Sequence, residues 1–278
     1  MTIPRIAHFV FGLREQTEPF HPMHYLAIES CRQVLQPEVI HLHHQHLPFG
    51  VYWDLIRPHL ELHEVGPADE VLAAPRNEQL VPERYRYAHH ADVIRLDALI
   101  EHGGVYADID TLFVSEFPDE LFAAPFVIGE EDPVRDELTG EVRPSLCNAL
   151  LLAEPRATFA VEWRERMAGA MNGTWSNHSG FLAHALSQEL PAAVRVEPAR
   201  SFTHLGYDAD GLARLFERLD RDLEGVLSLH LWSHLWWEES RVDASRFHAG
   251  LLDEEHIRSV DTTYTVLARR FLPPLDTW

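Results

Sequence analysis

Gly103–Asp110 reads GGVYADID, and the fold turns on how the last three residues of that stretch are understood. Two glycines end the run before it, a short apolar strand begins, and Asp108 and Asp110 then stand one residue apart. Strand alternation puts both carboxylates on one side and Ile109 on the other. Like charges that close repel unless one takes a proton or a cation lies between them. The chain makes the problem worse, with 44 Asp and Glu against 23 basic residues and a formal net charge of -21. Hard divalent cations such as Mn²⁺ and Mg²⁺ choose oxygen ligands, commonly one or two carboxylates plus substrate phosphates. Such a cation would also supply the positive charge that an acidic protein needs to hold an anionic substrate. Asp-x-Asp alone is common in solvated turns, so the weight falls on its neighbours.

Upstream, PERYRYAHHADVIRLDALIEHGG reads as a long helix, with Pro82 suited to its start and the glycine pair to its stop. Asp92 and Arg95 lie three apart on it and share a face. They are either a surface ion pair of little worth or a functional pair, the Asp accepting ribose hydroxyls and the Arg gripping phosphate. Outward from there, strand and helix patterns alternate. RIAHFVFG, EVIHLHHQ, LELHEV, PFVIGEED, LCNALLLAE and GVLSLHLW read as strands. HPMHYLAIESCRQVL, PRATFAVEWRERMAGAM and SGFLAHALSQEL read as helices, and DELTGEV as a hairpin with Thr-Gly at its tip. That order predicts an α/β fold, a largely parallel sheet with helices on both faces and the ligand at the carboxyl ends of its strands.

The 278 residues, 46% of them hydrophobic, suffice for one large core, and one domain over 1–278 is expected. No run is long enough to span a bilayer. The first residues suit a core strand better than a signal peptide, and two cysteines make no disulfide framework, so a reduced, cytoplasmic protein is expected. The acidic balance disfavours nucleic acid and anionic membrane. There is no lysine, which excludes a lysine Schiff base and the P-loop lysine of Walker-type sites. HLHHQH (His41–His46) has no accompanying cysteines or spaced histidine set, and its histidines fall on both sides of a strand-like run, so it is taken as structural or surface.

ADVIRLDALIEHGGVYADIDTLF, residues 91–113, resembles the core signature of glycosyltransferase family 32, the DXD-motif sugar transferases. That family includes the catalytic domains of large bacterial glucosylating toxins and yeast mannosyltransferases. Its pattern of Ser-Asp, two residues, Arg, a helical stretch, Gly-Gly-[Ile/Val]-Tyr, one residue and Asp-x-Asp is met by Asp92, Arg95, Gly103, Gly104, Tyr106, Asp108 and Asp110, with Ala91 in place of the Ser. IPRIAHFVFG resembles the family's opening strand, with Phe11 where a Trp is usual. HLWSHLW resembles its closing motif through His230 and Trp236, with Leu235 where a Ser is common. NHSGFL resembles the helix start before the acceptor region, with Phe181 replacing Pro.

The resemblance implies a GT-A fold, with donor binding in about residues 1–130 and the acceptor side and closing motif in about 131–278. It implies transfer of a sugar from a nucleotide sugar, a UDP-sugar ahead of a GDP-sugar, to a glycan, small-molecule or protein hydroxyl, with retention at the anomeric carbon. It makes Asp108, Asp110 and Arg95 the catalytic candidates, and Asp108 and Asp110, completed by His230, the ligands of Mn²⁺ or Mg²⁺. Asp92, Arg95, Tyr106, Phe11, Asn148 and Trp236 become the donor-binding candidates. The residues alone leave two other classes open, a metal-dependent phosphohydrolase and a non-catalytic nucleotide-sugar binder. The haloacid-type phosphohydrolase also needs a Lys, which is absent.

Overall fold

A computed structural model describes residues 2–66, 83–237 and 247–274. The first half runs β1 (Ile6–Val10), α1 (Pro22–Val34), β2 (Val39–His44), α2 (Val51–Ile56), β3 (Glu61–Glu64), α3 (Glu83–His102), β4 (Gly104–Ala107) and β5 (Thr111–Phe113). There follow α4 (Asp119–Phe122), β6 (Phe126–Glu130), the hairpin of β7 (Val134–Arg135) and β8 (Val142–Arg143), and β9 (Leu146–Ala153). The rest holds α5 (Thr158–Ala170), α6 (Leu182–Glu189), β10 (Arg195–Glu197), α7 (Ala199–Phe202), α8 (Ala209–Phe216), β11 (Ser228–His230), α9 (Glu254–Ser259) and α10 (Thr263–Ala268). The expected start of α3 at Pro82 and the last four residues of the chain lie outside the described residues.

Seven of the described strands form one sheet in the order β10-β6-β9-β4-β1-β2-β3. Its pairings are parallel except those of β9, which runs against both β4 and β6. The carboxyl ends of β1, β4 and β6 and the first residues of β9 therefore share one edge. The strand expected over GVLSLHLW is shorter than its apolar run and does not join this sheet. It is β11, which pairs antiparallel with β5 in a separate ribbon.

Alternation within β1 explains the two-sided core. Ala7 and Phe9 face the cluster that includes Met23 and Leu26 of α1 and Leu212 of α8, while Val10 joins Leu96 and Leu99 of α3 and Trp163 of α5. Helix α1 begins where His21 accepts the Met23 N–H, an N-cap next to Pro22 at the first helical position. Ser30 of α1 accepts the Phe113 N–H at 3.0 Å and so holds β5 against the helix.

The turn from α3 into β4 depends on its glycines. Gly103 has φ +66° and Gly104 φ +105°, and a Cβ on Gly104 would lie 2.4 Å from the Ile6 carbonyl oxygen of the neighbouring strand. Gly104→Ala is expected to lower the melting temperature by several degrees, because positive φ alone costs a residue with a Cβ about 1–2 kcal/mol and the clash adds to it. An unchanged thermal transition would contradict this account of the turn.

Candidate active site

Strand β4 ends at Ala107, and Asp108 to Thr111 form a turn closed by the Thr111 N–H donating to the Asp108 carbonyl at 3.0 Å. The two carboxylates are thus brought together by a turn, where alternation along a strand had been expected. His230 arrives through the β5–β11 ribbon, in which it sits opposite Thr111. Its Nε2 lies 3.4 Å from Asp110 Oδ1. One ligand atom from each of Asp108, Asp110 and His230 lies within 4.8 Å of the others. The Leu231 N–H donates to the Asp110 carbonyl at 2.9 Å and the Ser233 N–H to Asp110 Oδ2 at 2.8 Å. Between them Trp232 takes a left-handed conformation, φ 55°, which turns the chain back toward Asp110. Its indole is buried, donates to the Leu205 carbonyl and packs 4.0 Å from the His230 ring.

These surroundings split the two aspartates. Burial pushes the Asp110 carboxyl up, but His230 and the Ser233 N–H outweigh it and hold Asp110 well below the usual range. Burial opposes charge on His230 as well, yet Asp110 holds its imidazolium well above the ordinary value. Asp108 moves the other way: burial raises it, Arg95 pulls it down, Asp110 adds to the rise, and the result is a raised carboxyl. Asp108 is also the more accessible, its side chain 25% exposed.

Asp92 and Arg95 are no surface pair, because the face of α3 that carries them turns inward. The Arg95 guanidinium lies 3.0 Å from Asp92 Oδ1 and 3.3 Å from Asp108 Oδ1, donates to the Asn148 carbonyl and covers the Tyr106 ring. It is 4% exposed, and these partners surround it. Asp92 is similarly enclosed. It accepts the Asn148 amide at 2.7 Å and faces His178 Nε2 at 2.8 Å, which leaves it shielded from ribose or sugar hydroxyls. Tyr106, 1% exposed, donates its hydroxyl to Asp108 Oδ1 at 2.6 Å.

Trp236 lies in the core. It is 1% exposed, packs against Phe216 and Phe247, and donates its indole N–H to the Leu231 carbonyl. The next residue, Trp237, is half-buried and stacks on His24 with ring centroids 5.0 Å apart. Phe11, also half-buried, packs against His24 with ring centroids 4.7 Å apart. His24 lies within electrostatic reach of Asp110, so this aromatic group adjoins the carboxylates. Asn148, at the start of β9, stays half-buried with its amide on Asp92.

Three more polar residues join the site without having been expected there. His178 reaches Asp92 from a single π-helical turn, Asn177–Phe181, within the NHSGFL segment. His24 leaves no signal beyond a polar residue on an apolar helix. Glu131, just past the end of β6, accepts the Ser145 hydroxyl; burial raises its carboxyl, and His230 is among its charged neighbours. GEED was the cue, three acidic residues following an apolar strand. Gly180 permits this packing, since a Cβ there would lie 2.1 Å from Ser145 Oγ.

A sequence profile described as the glycosyltransferase sugar-binding region containing DXD motif matches residues 63–127. Glucan organizing enzyme 1 of Cryptococcus neoformans var. grubii serotype A is 30% identical over 288 residues, covering 99% of this chain and 72% of that protein. The chain belongs to the DXD-motif glycosyltransferases. As such it is an enzyme that draws on a nucleotide-sugar donor. Its sheet is mostly parallel and flanked by helices, the α/β class that the order of strands and helices in the sequence predicts. Solved structures similar to the transferase include the galactosyltransferase LgtC with donor and acceptor sugar analogs, 12% identical over 98% of each chain with a TM-score of 0.46. Another is the glycosyltransferase GlyE of Streptococcus pneumoniae TIGR4, 14% identical over 96% of this chain and 63% of that one, with a TM-score of 0.47. Among the described residues of the transferase, no helix is long and apolar enough to cross a membrane.

Proposed function

We propose that this transferase moves a sugar from a nucleoside-diphosphate sugar to an acceptor hydroxyl, with Mn²⁺ or Mg²⁺ held by Asp108, Asp110 and His230. The observation that carries the reading is the convergence of two carboxylates and an imidazole at the carboxyl end of β4. The donor set fits the group: carboxylates suit both ions, and the imidazole favours Mn²⁺ over Mg²⁺. A divalent cation bound there would supply positive charge to the departing nucleoside diphosphate, most of all in the transition state.

The chain's own residues have separable tasks in this reading. Asp108 and Asp110 present oxygen to the cation. Tyr106 and Arg95 fix the rotamer of Asp108, and the Ser233 N–H fixes that of Asp110. Asp92, capped by His178 and Asn148, keeps Arg95 in place. Phe11 and Trp237 offer flat faces for the nucleotide base, with UDP ranked ahead of GDP. Glu131, a buried carboxylate with Ser145 and His230 among its neighbours, is assigned to the acceptor side. Retention follows from the family resemblance. The chain is read as one domain, its donor half near 1–130 and its acceptor half beyond. The curated relative's name refers to glucan, which favours a glycan among the possible acceptors. The free, buried Cys31 and Cys147 suit a reducing, cytoplasmic setting.

The test is nucleoside diphosphate release from a panel of UDP- and GDP-sugars, with Mn²⁺ and after chelation. Release that requires the ion and vanishes in Asp108→Asn is the expected result. Phosphate release from simple phosphomonoesters, or tight donor binding with no turnover on any acceptor extract, would overturn the proposal.

A further inference from the structure

A second group of ligating side chains lies on β1, β2 and β3 and shares no residue with the Asp108–Asp110–His230 set. His41 and His43, two apart on β2, project from the same face. Parallel register then sets His8 of β1 beside His41, Glu61 of β3 on the other side of His41, and His63 beside His43. The spaced histidine set missing from HLHHQH is thus supplied by its neighbouring strands, and only the fold brings it together.

The geometry is that of ligands turned toward a common point. One nitrogen from each of His8, His41 and His43 lies within 4.8 Å of the other two, and all three residues are buried, at 0%, 6% and 7% exposure. His8 Nε2 is 2.9 Å from the Gly103 carbonyl, which can only accept, so the proton sits on Nε2 and the lone pair on Nδ1. That Nδ1 is 3.2 Å from His43 Nε2. Two imidazole nitrogens on a tetrahedral zinc ion, each bonded at about 2.0–2.1 Å, stand about 3.3–3.4 Å apart. His41 Nδ1 is buried without a hydrogen-bond partner, an expensive state for a lone ring nitrogen. Its Nε2 faces the Glu61 carboxylate at 4.0 Å, the side on which a ligating histidine is commonly oriented by a carboxylate.

We propose that His8, His41 and His43 bind one zinc-class transition-metal ion, with Glu61 orienting His41, and that this ion clasps β1, β2 and β3. Nitrogen ligands select zinc, cobalt or nickel over Mn²⁺ and Mg²⁺, which sets this site apart in chemistry from the carboxylate site. Its role is structural: it ties the three strands at one end of the sheet, with His8 also bonded to the turn that leads into β4.

The experiment uses tag-free, chelator-stripped full-length protein, both wild type and an Asp108→Asn, Asp110→Asn variant. Each is titrated with Zn²⁺ and with Co²⁺. The expected result is one equivalent of Zn²⁺ bound by the Asp108→Asn, Asp110→Asn variant and at least one by wild type, whose carboxylate site also accepts zinc, with a rise in melting temperature on binding and intense visible absorption of the variant's Co²⁺ form, as four-coordinate nitrogen-rich cobalt gives. Added to that variant, His41→Gln is expected to abolish stoichiometric binding, and Glu61→Gln, a substitution of an exposed side chain, to weaken it about 10- to 100-fold. The absence of stoichiometric binding by wild type, or by the folded Asp108→Asn, Asp110→Asn variant, overturns the proposal. So do weak, six-coordinate cobalt spectra of that variant, or binding unchanged when His41→Gln is added to it and the protein stays folded.

Discussion

Asp110→Asn is expected to reduce nucleoside diphosphate release by at least about 10³-fold and to lower the melting temperature of the metal-free protein by about 10 °C. The kinetic part follows from losing a ligand to a cation whose stabilisation of departing charge is worth several kcal/mol. The stability part comes from the chain itself. Asp110 is the counter-charge of a buried His230, and breaking a buried pair by removing one partner typically costs about 3–5 kcal/mol. Asp108→Asn is expected to behave differently, with activity lost but the melting temperature little changed. Burial already pushes Asp108 toward its neutral form, and an amide oxygen can still accept the Tyr106 hydroxyl. From the sequence the two aspartates look equivalent, and exchanging both for Asn should relieve a repulsion. The structure separates them, because Asp110 is compensated and Asp108 only partly so. Thermal scans of the two single variants decide the matter; equal transitions, or a more stable Asp110→Asn, would refute the assignment.

Arg95→Met is expected to cost the fold about as much as Asp110→Asn. One guanidinium serves two buried or half-buried carboxylates, a backbone carbonyl and an aromatic ring. Removing it leaves Asp92 buried with an uncompensated charge, a loss on the order of 3–5 kcal/mol. Arg95→Lys should rescue little, since an ammonium cannot span the same fork of partners. Adding Asp92→Asn to Arg95→Met should recover a measurable part of the stability, because the stranded charge goes with it. Chemical denaturation of the three variants provides the readout. A double variant no more stable than Arg95→Met would rule out charge stranding as the cause.

The strands of the main sheet other than β10 were legible because alternation and glycine stops are local signals, and the DXD turn because its residue spacing is fixed. What was not legible depended on direction. Asp92 and Arg95 share a helix face in any reading, but only packing against the sheet decides that the face turns inward. Trp236 and Trp237 are adjacent, and only the packing of the fold decides which one enters the core. His178 and Glu131 lie far from the motif in sequence and come to it through a π-helical turn and a strand end. The histidines of β2 looked scattered because their partners stand on two other strands.

The placement of β9 bears on how the chain is assembled as it is made. This strand lies between β4 and β6 yet is synthesised after both, so the centre of the sheet closes only once residue 153 has emerged. A nascent chain stopped near residue 130 carries an open strand edge on β4 and lacks the later partners of its carboxylates. His178 has not yet reached Asp92, nor His230 Asp110. The motif is therefore written early in the polypeptide but becomes electrostatically tenable late. Its long-range closures favour slow, cooperative folding over independent folding of a nucleotide-binding half.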